Sequence, residues 1–340
     1  MTENSLKADI TKLQGLVEAA TTILVLQPEK PDTDSLGTSL ALEQVFGDLD
    51  KTVVMYCQDE VPTYLRILDG WDRVTHDLPA AFDLTILVDC GGPQQLQRTL
   101  DKHQAKLTSK PFVILDHHKN REPMPFETIN VIDVASAATG ELVVIVCKQT
   151  GWKINLEAAM TIVPSIMADT LGLSTPTTTA QTVEAVAEMV RIGVDLYELR
   201  RRREMAEALE PEIFKLKGAL IGRTEYFADG RIALVVVTPE ELSKYADIHD
   251  PADLISQEMR RVKGVDIAIV MRNYNSTFYG RKIKVSMRAN VPVAAKAAQH
   301  FGGGGHDQAA GCTIEGREPD DVIKEFIPVV TKLLDEHEAN

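Results

Sequence analysis

No apolar run in the chain approaches the roughly 20 residues needed to cross a bilayer, and the first ten residues, MTENSLKADI, lack a basic stretch followed by an apolar one. Neither a membrane span nor a secretory leader is therefore expected, and the expected location is the cytoplasm. Cysteine is scarce. Cys57, Cys90, Cys147 and Cys312 are scattered without a C-x-x-C spacing, which excludes a zinc knuckle and a disulfide framework and leaves them as reduced, mostly buried small residues. Net positive charge is missing as well: the formal charge is -14, which works against binding long duplex nucleic acid, whose phosphates reward a basic surface. Low-complexity tracts and internal repeats are absent. What remains is 340 residues of ordinary composition, 44% apolar and 25% charged, enough for two packed domains.

The acidic balance is reversed locally. Between residues 256 and 300, Lys and Arg number 9 against 2 for Asp and Glu, so this segment suits either a solvated basic face or a small anionic ligand.

The first half alternates buried apolar runs with amphipathic stretches. Residues 22–26, 52–56, 84–90 and 112–116 read as strands, each bounded by polar, Gly or Pro residues. Such alternation predicts an α/β fold with a parallel sheet covered by helices on both faces. Helical patterns then run from Thr139 to about Gly218, the later part reading as a connecting helix. A second set follows, with strands at 232–237, 266–273, 282–289 and after Gly311, and helices near 251–262, 293–300 and from Pro319 onward. The expected layout is a first domain over 1–190, a connecting helix over 191–217, and a smaller mixed α/β domain over 218–340.

In open α/β sheets, ligands sit beyond the carboxyl ends of the parallel strands. Acidic or histidine-bearing segments fall at or near such ends: Asp32-Thr33-Asp34 after the first strand, Asp89 after the third, and Asp116-His117-His118 after the fourth. Asp169-Thr170 closes a helical stretch. Singly, a strand-terminal Asp most often caps a helix or turn. Together, the carboxylates would repel and raise one another's pKa unless cations compensate them. Oxygen and imidazole donors without thiolate suit manganese, magnesium or iron, and a pair of such ions suits phosphoester hydrolysis. Of the two adjacent histidines, one can ligate metal while the other faces substrate.

The run Gly302-Gly303-Gly304-Gly305-His306-Asp307-Gln308-Ala309-Ala310-Gly311 bares backbone N–H groups and lets an anion approach closely. A flexible linker would continue with Ser or Gly instead. His76, His103, His249, His300 and His337 stand outside any such motif.

Asp-x-Asp-x-x-Gly, a strand-terminal Asp, Asp-His-His, a later Asp-Thr and a C-terminal Gly-Gly-Gly-His-x-x-Ala-Ala-Gly together resemble the DHH phosphoesterases with a DHH-associated domain. The two-domain layout is closer to the nanoRNase and pAp-phosphatase group than to the long RecJ exonucleases. Asp133-Val134-Ala135-Ser136-Ala137-Ala138-Thr139-Gly140 is similar to the family's Ser/Thr-rich segment. The resemblance implies that Asp32 and Asp89 hold a first manganese and that Asp34, Asp89, His117 and Asp169 hold a second, with magnesium as the alternative ion. It further implies that Asp116 orients His117, that His118 contacts the phosphate under attack, and that Gly303, Gly304, Gly305, His306 and Arg288 grip the substrate. A homodimer is implied too.

One family residue is lacking. Members usually carry a histidine three residues before the Pro-Asp of the first motif, where Pro28 stands here; Gln27 or Glu29 is the expected replacement. The expected activity is metal-dependent hydrolysis of short oligoribonucleotides, or of linear or cyclic dinucleotides, with phosphatase action on a 3′,5′-bisphosphate nucleotide beside it. The alternative is a nucleotide-binding module weakened by the lost histidine. A pyrophosphatase or exopolyphosphatase is disfavoured, because the resemblance implies that those relatives lack the glycine-rich segment.

Overall fold

The structure is a computed structural model that describes residues 3–206, 208–246, 248–276 and 280–339. The chain divides into two units, Met1–Ala208 and Leu209–Asn340.

In the first unit the order is α1 (Glu3–Ala19), β1 (Thr22–Leu26), α2 (Thr33–Gly47), β2 (Thr52–Tyr56), β3 (Leu84–Val88), α3 (Gln97–Leu107), β4 (Phe112–Asp116) and β5 (Ile129–Ile132). Four helices complete it: α4 (Thr139–Thr150), α5 (Leu156–Asp169), α6 (Ala180–Ile192) and α7 (Leu196–Ala206). Among the described residues the sheet has five strands in the order β2-β1-β3-β4-β5, every neighbouring pair parallel. The expected α/β sheet is therefore present. β1 explains why its sequence reads as one apolar run: Ile23 and Val25 enter the core shared with α2, α4 and α5, while Leu24 and Leu26 enter the core on the α3 side. A strand buried on both faces has no polar side to alternate with.

Two glycines let three helices converge. A Cβ on Gly37 of α2 would lie 2.7 Å from the Thr161 carbonyl oxygen of α5, and one on Gly140 of α4 would lie 2.1 Å from Ser165 Oγ. No larger residue fits at either place, so α2, α4 and α5 meet at backbone distance beyond the sheet's carboxyl edge.

The expected connecting helix over 191–217 is two helices, α7 and α8 (Pro211–Gly222). Pro211 opens the second one, where its missing N–H is harmless, whereas inside one long helix it would break the ladder.

The second unit continues from α8 with β6 (Glu225–Phe227), β7 (Ile232–Val237), α9 (Pro239–Tyr245), α10 (Pro251–Arg260), β8 (Ile267–Ser276) and β9 (Gly280–Ala289). It ends with α11 (Ala294–His300), β10 (Gly304–His306), β11 (Ala309–Glu315) and α12 (Pro319–Glu338). Its described strands form a mixed sheet in the order β10-β11-β9-β8-β7-β6, in which β7 and β8 are parallel and the remaining pairs antiparallel. One face packs against α11 and α12, the other against α8, α9 and α10.

Candidate active site

Asp34 sits in the first turn of α2 and is fully buried. Its carboxylate accepts the Thr139 and Gly140 backbone N–H groups at 2.7 and 3.1 Å, the Thr38 hydroxyl at 3.2 Å and the Ser165 hydroxyl at 2.5 Å. Thr139 and Gly140 open α4, so the positive end of a helix faces the acid. The close packing at Gly37 and Gly140 makes this possible.

Asp89 follows β3 with φ 52°, a left-handed turn that Asp tolerates better than most residues. Its Oδ1 accepts the Thr139 hydroxyl at 3.2 Å. His117 projects from the end of β4 among three carboxylates: Nε2 lies 3.2 Å from Asp169, 3.6 Å from Asp34 and 3.7 Å from Asp89. Its Nδ1 lies 3.3 Å from the Ser136 carbonyl oxygen. A carbonyl only accepts, so Nδ1 carries the proton and Nε2 is left to bind a cation.

Asp116 is buried and holds His118, not His117. His118 Nδ1 lies 2.7 Å from Asp116 Oδ1, which also accepts the His117 and His118 backbone N–H groups. On the other oxygen, Arg121 Nε approaches to 2.6 Å. The expectation that Asp116 orients His117 is thus corrected: the Ser136 carbonyl does that.

Burial and the neighbouring acids push Asp89 well above the usual carboxylate range, and burial with Asp169 pushes Asp34 up. Burial pulls the His117 imidazole down, but Asp169, Asp34 and Asp116 outweigh it and hold its pKa at about 9. Asp116 is raised by burial yet ends lowered, because His118 and Arg121 favour its charged form, and Asp116 in turn raises His118. Excess acid facing retained protons is the electrostatic signature of a cation site.

The donor set fits a divalent ion. One atom each from Asp34, His117 and Asp169 lies within 4.8 Å of the others, as do atoms from Asp89, His117 and His118. His117 Nε2 is buried and faces carboxylate oxygens. Carboxylate oxygens and imidazole nitrogen suit manganese, magnesium or iron.

Asp32 is in neither of these clusters, though its charge helps to raise Asp89. It is exposed and caps α2, accepting the Ser35 N–H at 2.9 Å on Oδ1. Glu29 is spent elsewhere, its oxygens taken by Arg98 Nε and the Thr99 N–H, each at 2.8 Å. Gln27 is fully buried, and both of its amide atoms lack a partner.

In the second unit, His306 on β10 pairs with Ala309 on β11, and Ala309 pairs with Arg288 on β9, so the three line up across the sheet. The glycine run is partly strand: Gly304, Gly305 and His306 form β10. A Cβ on Gly303 would lie 2.2 Å from the Gly311 carbonyl oxygen, so tight strand packing alone demands glycine there. The basic excess of 256–300 is partly neutralised, Arg272 by Asp250 and Arg281 by Glu318.

Ser165 and Arg121 are site residues that no motif reading singled out, while Ser136 and Gly140 lay in the Ser/Thr-rich segment without a role assigned to either. Arg121 alone left a signal, a cation three residues beyond the two histidines.

Residues 22–175 match the DHH family, N-terminal domain, and residues 233–336 match the DHHA1 domain. The chain belongs to the DHH family. This DHH chain is 28% identical over 309 residues to the bifunctional oligoribonuclease and PAP phosphatase NrnA of Thermus thermophilus, covering 89% of its own length and 87% of the relative's. It is 29% identical over 207 residues, 57% of its length and 64% of the relative's, to a protein of Lactobacillus johnsonii described as a probable manganese-dependent inorganic pyrophosphatase. A solved exopolyphosphatase-related protein from Bacteroides fragilis matches with a TM-score of 0.79 over 97% of this chain and 98% of that one, at 21% identity, which is a likeness of fold.

Proposed function

We propose that this DHH chain is a divalent-metal-dependent phosphodiesterase. Its substrates would be short oligoribonucleotides or linear or cyclic dinucleotides, cut to mononucleotides, with phosphatase action on a 3′,5′-bisphosphate nucleotide as a second activity. The observation that carries the reading is the buried Nε2 of His117 among three carboxylates, in a chain similar over nearly its whole length to an oligoribonuclease.

Manganese, with magnesium as the alternative, would be held by Asp34, Asp89, His117 and Asp169, with Asp32 and Asp89 at a second position; the ions would acidify the attacking water and offset phosphoryl charge. The protein's own part is orientation. The Ser136 carbonyl keeps the proton of His117 on Nδ1, and the first turn of α4 fixes Asp34. Asp116 holds Nδ1 of the half-exposed His118, leaving Nε2 to donate to a phosphate oxygen. Gly303, Gly304, Gly305, His306 and Arg288 would bind substrate from the second unit. The proposed assembly is a homodimer, supported by exposed Leu156 on α5 and Val183 and Val190 on α6.

The test is hydrolysis of the linear dinucleotide pApA by metal-stripped protein titrated with manganese, beside His117→Asn. Manganese-dependent release of mononucleotide, lost in the variant, is expected. Dinucleotide binding without turnover at any manganese concentration would replace the enzyme by the second reading, a nucleotide-binding module, which the absence of a histidine near Pro28 favours.

A further inference from the structure

Residues 27–30, directly after β1, offer the cleft neither imidazole nor free carboxylate. Pro28 gives its carbonyl oxygen to Cys57 Sγ at 3.2 Å, the Glu29 N–H donates to the Gln95 carbonyl at 2.9 Å, and the Glu29 side chain is taken by Arg98 and Thr99. What the segment does offer is the amide of Gln27. Gln27 extends β1 by one residue, donating its N–H to the Tyr56 carbonyl at 3.0 Å. Alternation places its side chain on the face of Ile23 and Val25, towards α2, α4 and α5. Leu26 pairs with Leu87, so Gln27 stands level with Val88, next to Asp89. An amide fully buried with neither atom bonded is costly unless something meets it. Asp32 caps α2, the helix that follows β1, and the cap occupies its Oδ1.

We infer that the cleft holds its two divalent ions unequally: one in the nitrogen-bearing position of Asp34, Asp89, His117 and Asp169, the other in an all-oxygen position made by Asp32, Asp89 and the Gln27 amide oxygen. This rests on the metal-centre reading above. The second position has two carboxylates, one of them shared, and a neutral amide in place of a stronger donor, so it fills last. Oxygen donors alone also make it the harder site, better suited to magnesium and manganese than the imidazole-bearing position is. Perturbing even outer partners of a metal ligand changes affinity by about 10–100-fold, and losing a direct ligand costs at least as much.

The test counts manganese bound to the metal-stripped full chain, reading free Mn2+ by electron paramagnetic resonance. Two classes of ion separated by at least about tenfold are expected, with millimolar magnesium displacing only the weaker class. Asp32→Asn keeps the α2 cap, since Asn caps as well as Asp, and should weaken only the weaker class by about tenfold or more. Gln27→Leu should do the same, with circular dichroism reporting that the fold is retained. Two ions of equal affinity, a single class at every concentration, or an Asp32→Asn variant with both constants unchanged would overturn the inference. Failure to bind manganese at all would overturn the metal-centre reading itself.

Discussion

His117 is where this chain stakes most on a cation. In the metal-free protein its pKa stands at about 9 against an ordinary 6.5, so the proton-linked stability it lends is fully present below pH 6.5 and is lost as pH rises through 9. Asp89 and Asp34, both raised, act in the same direction, because the fold keeps protons that the unfolded chain releases. Metal-stripped protein should therefore lose thermal stability from pH 6.5 to 8.5, while the gain from added manganese grows over the same window as the ligands shed protons to the metal. Melting curves in chelator and in excess manganese check this; a flat or rising stripped curve would refute it. Asp89→Ala removes a carboxylate shared by both ion positions and should abolish turnover and manganese binding together, by activity assay and equilibrium dialysis. Asp116→Asn, which loosens the hold on His118 and takes the charge partner from Arg121, should cost turnover about 10–100-fold with manganese affinity nearly kept. The acids and histidines were legible in the sequence because strand ends concentrate them. Which imidazole Asp116 serves was not, since Ser136, nineteen residues beyond His117, decides the ring's direction. Ser165 was equally hidden, because its approach to Asp34 depends on how α5 packs at Gly37.

At the scale of elements, β1 to β4 could be read because each is an apolar run bounded by polar residues. β5 was missed: it has four residues, one of them Asn130, too few to stand out from a loop. β10 was missed for a different reason, since a glycine run has no side-chain pattern to read, and its strand state comes from pairing with β11. That pairing separates structural from functional glycine. Gly303→Ala would drive a Cβ to 2.2 Å from the Gly311 carbonyl and should cost about 1–3 kcal/mol by urea unfolding, as overpacking does. Gly304→Ala meets nothing within 4 Å and should leave the unfolding curve nearly unchanged. If Gly304→Ala nonetheless weakens nucleotide binding, the run approaches an anion. If neither stability nor binding moves, Gly304 has no part in the grip on substrate.

Charge belongs to the whole molecule. The chain carries -14, while residues 256–300 hold a basic excess whose arginines are partly matched by Asp250 and Glu318. Such a surface can hold a few phosphates in one place but repels a strand that runs on beyond it. Salt dependence measures how many phosphates are engaged, at a slope of about -0.7 per phosphate for single strands. For two phosphates, raising salt from 50 to 200 mM should weaken binding about sevenfold, against the roughly thousandfold to hundred-thousandfold loss that six to ten contacts produce on duplex DNA. Lengthening the RNA from two to twenty nucleotides should then leave affinity unchanged or lower it at low salt, where repulsion is least screened. Fluorescence anisotropy with a catalytically dead variant and a labelled length series would check both quantities together. An affinity that climbs with length, with a salt slope that steepens alongside it, would mean that the strand follows a basic track over the surface, and the restriction to short substrates would fall.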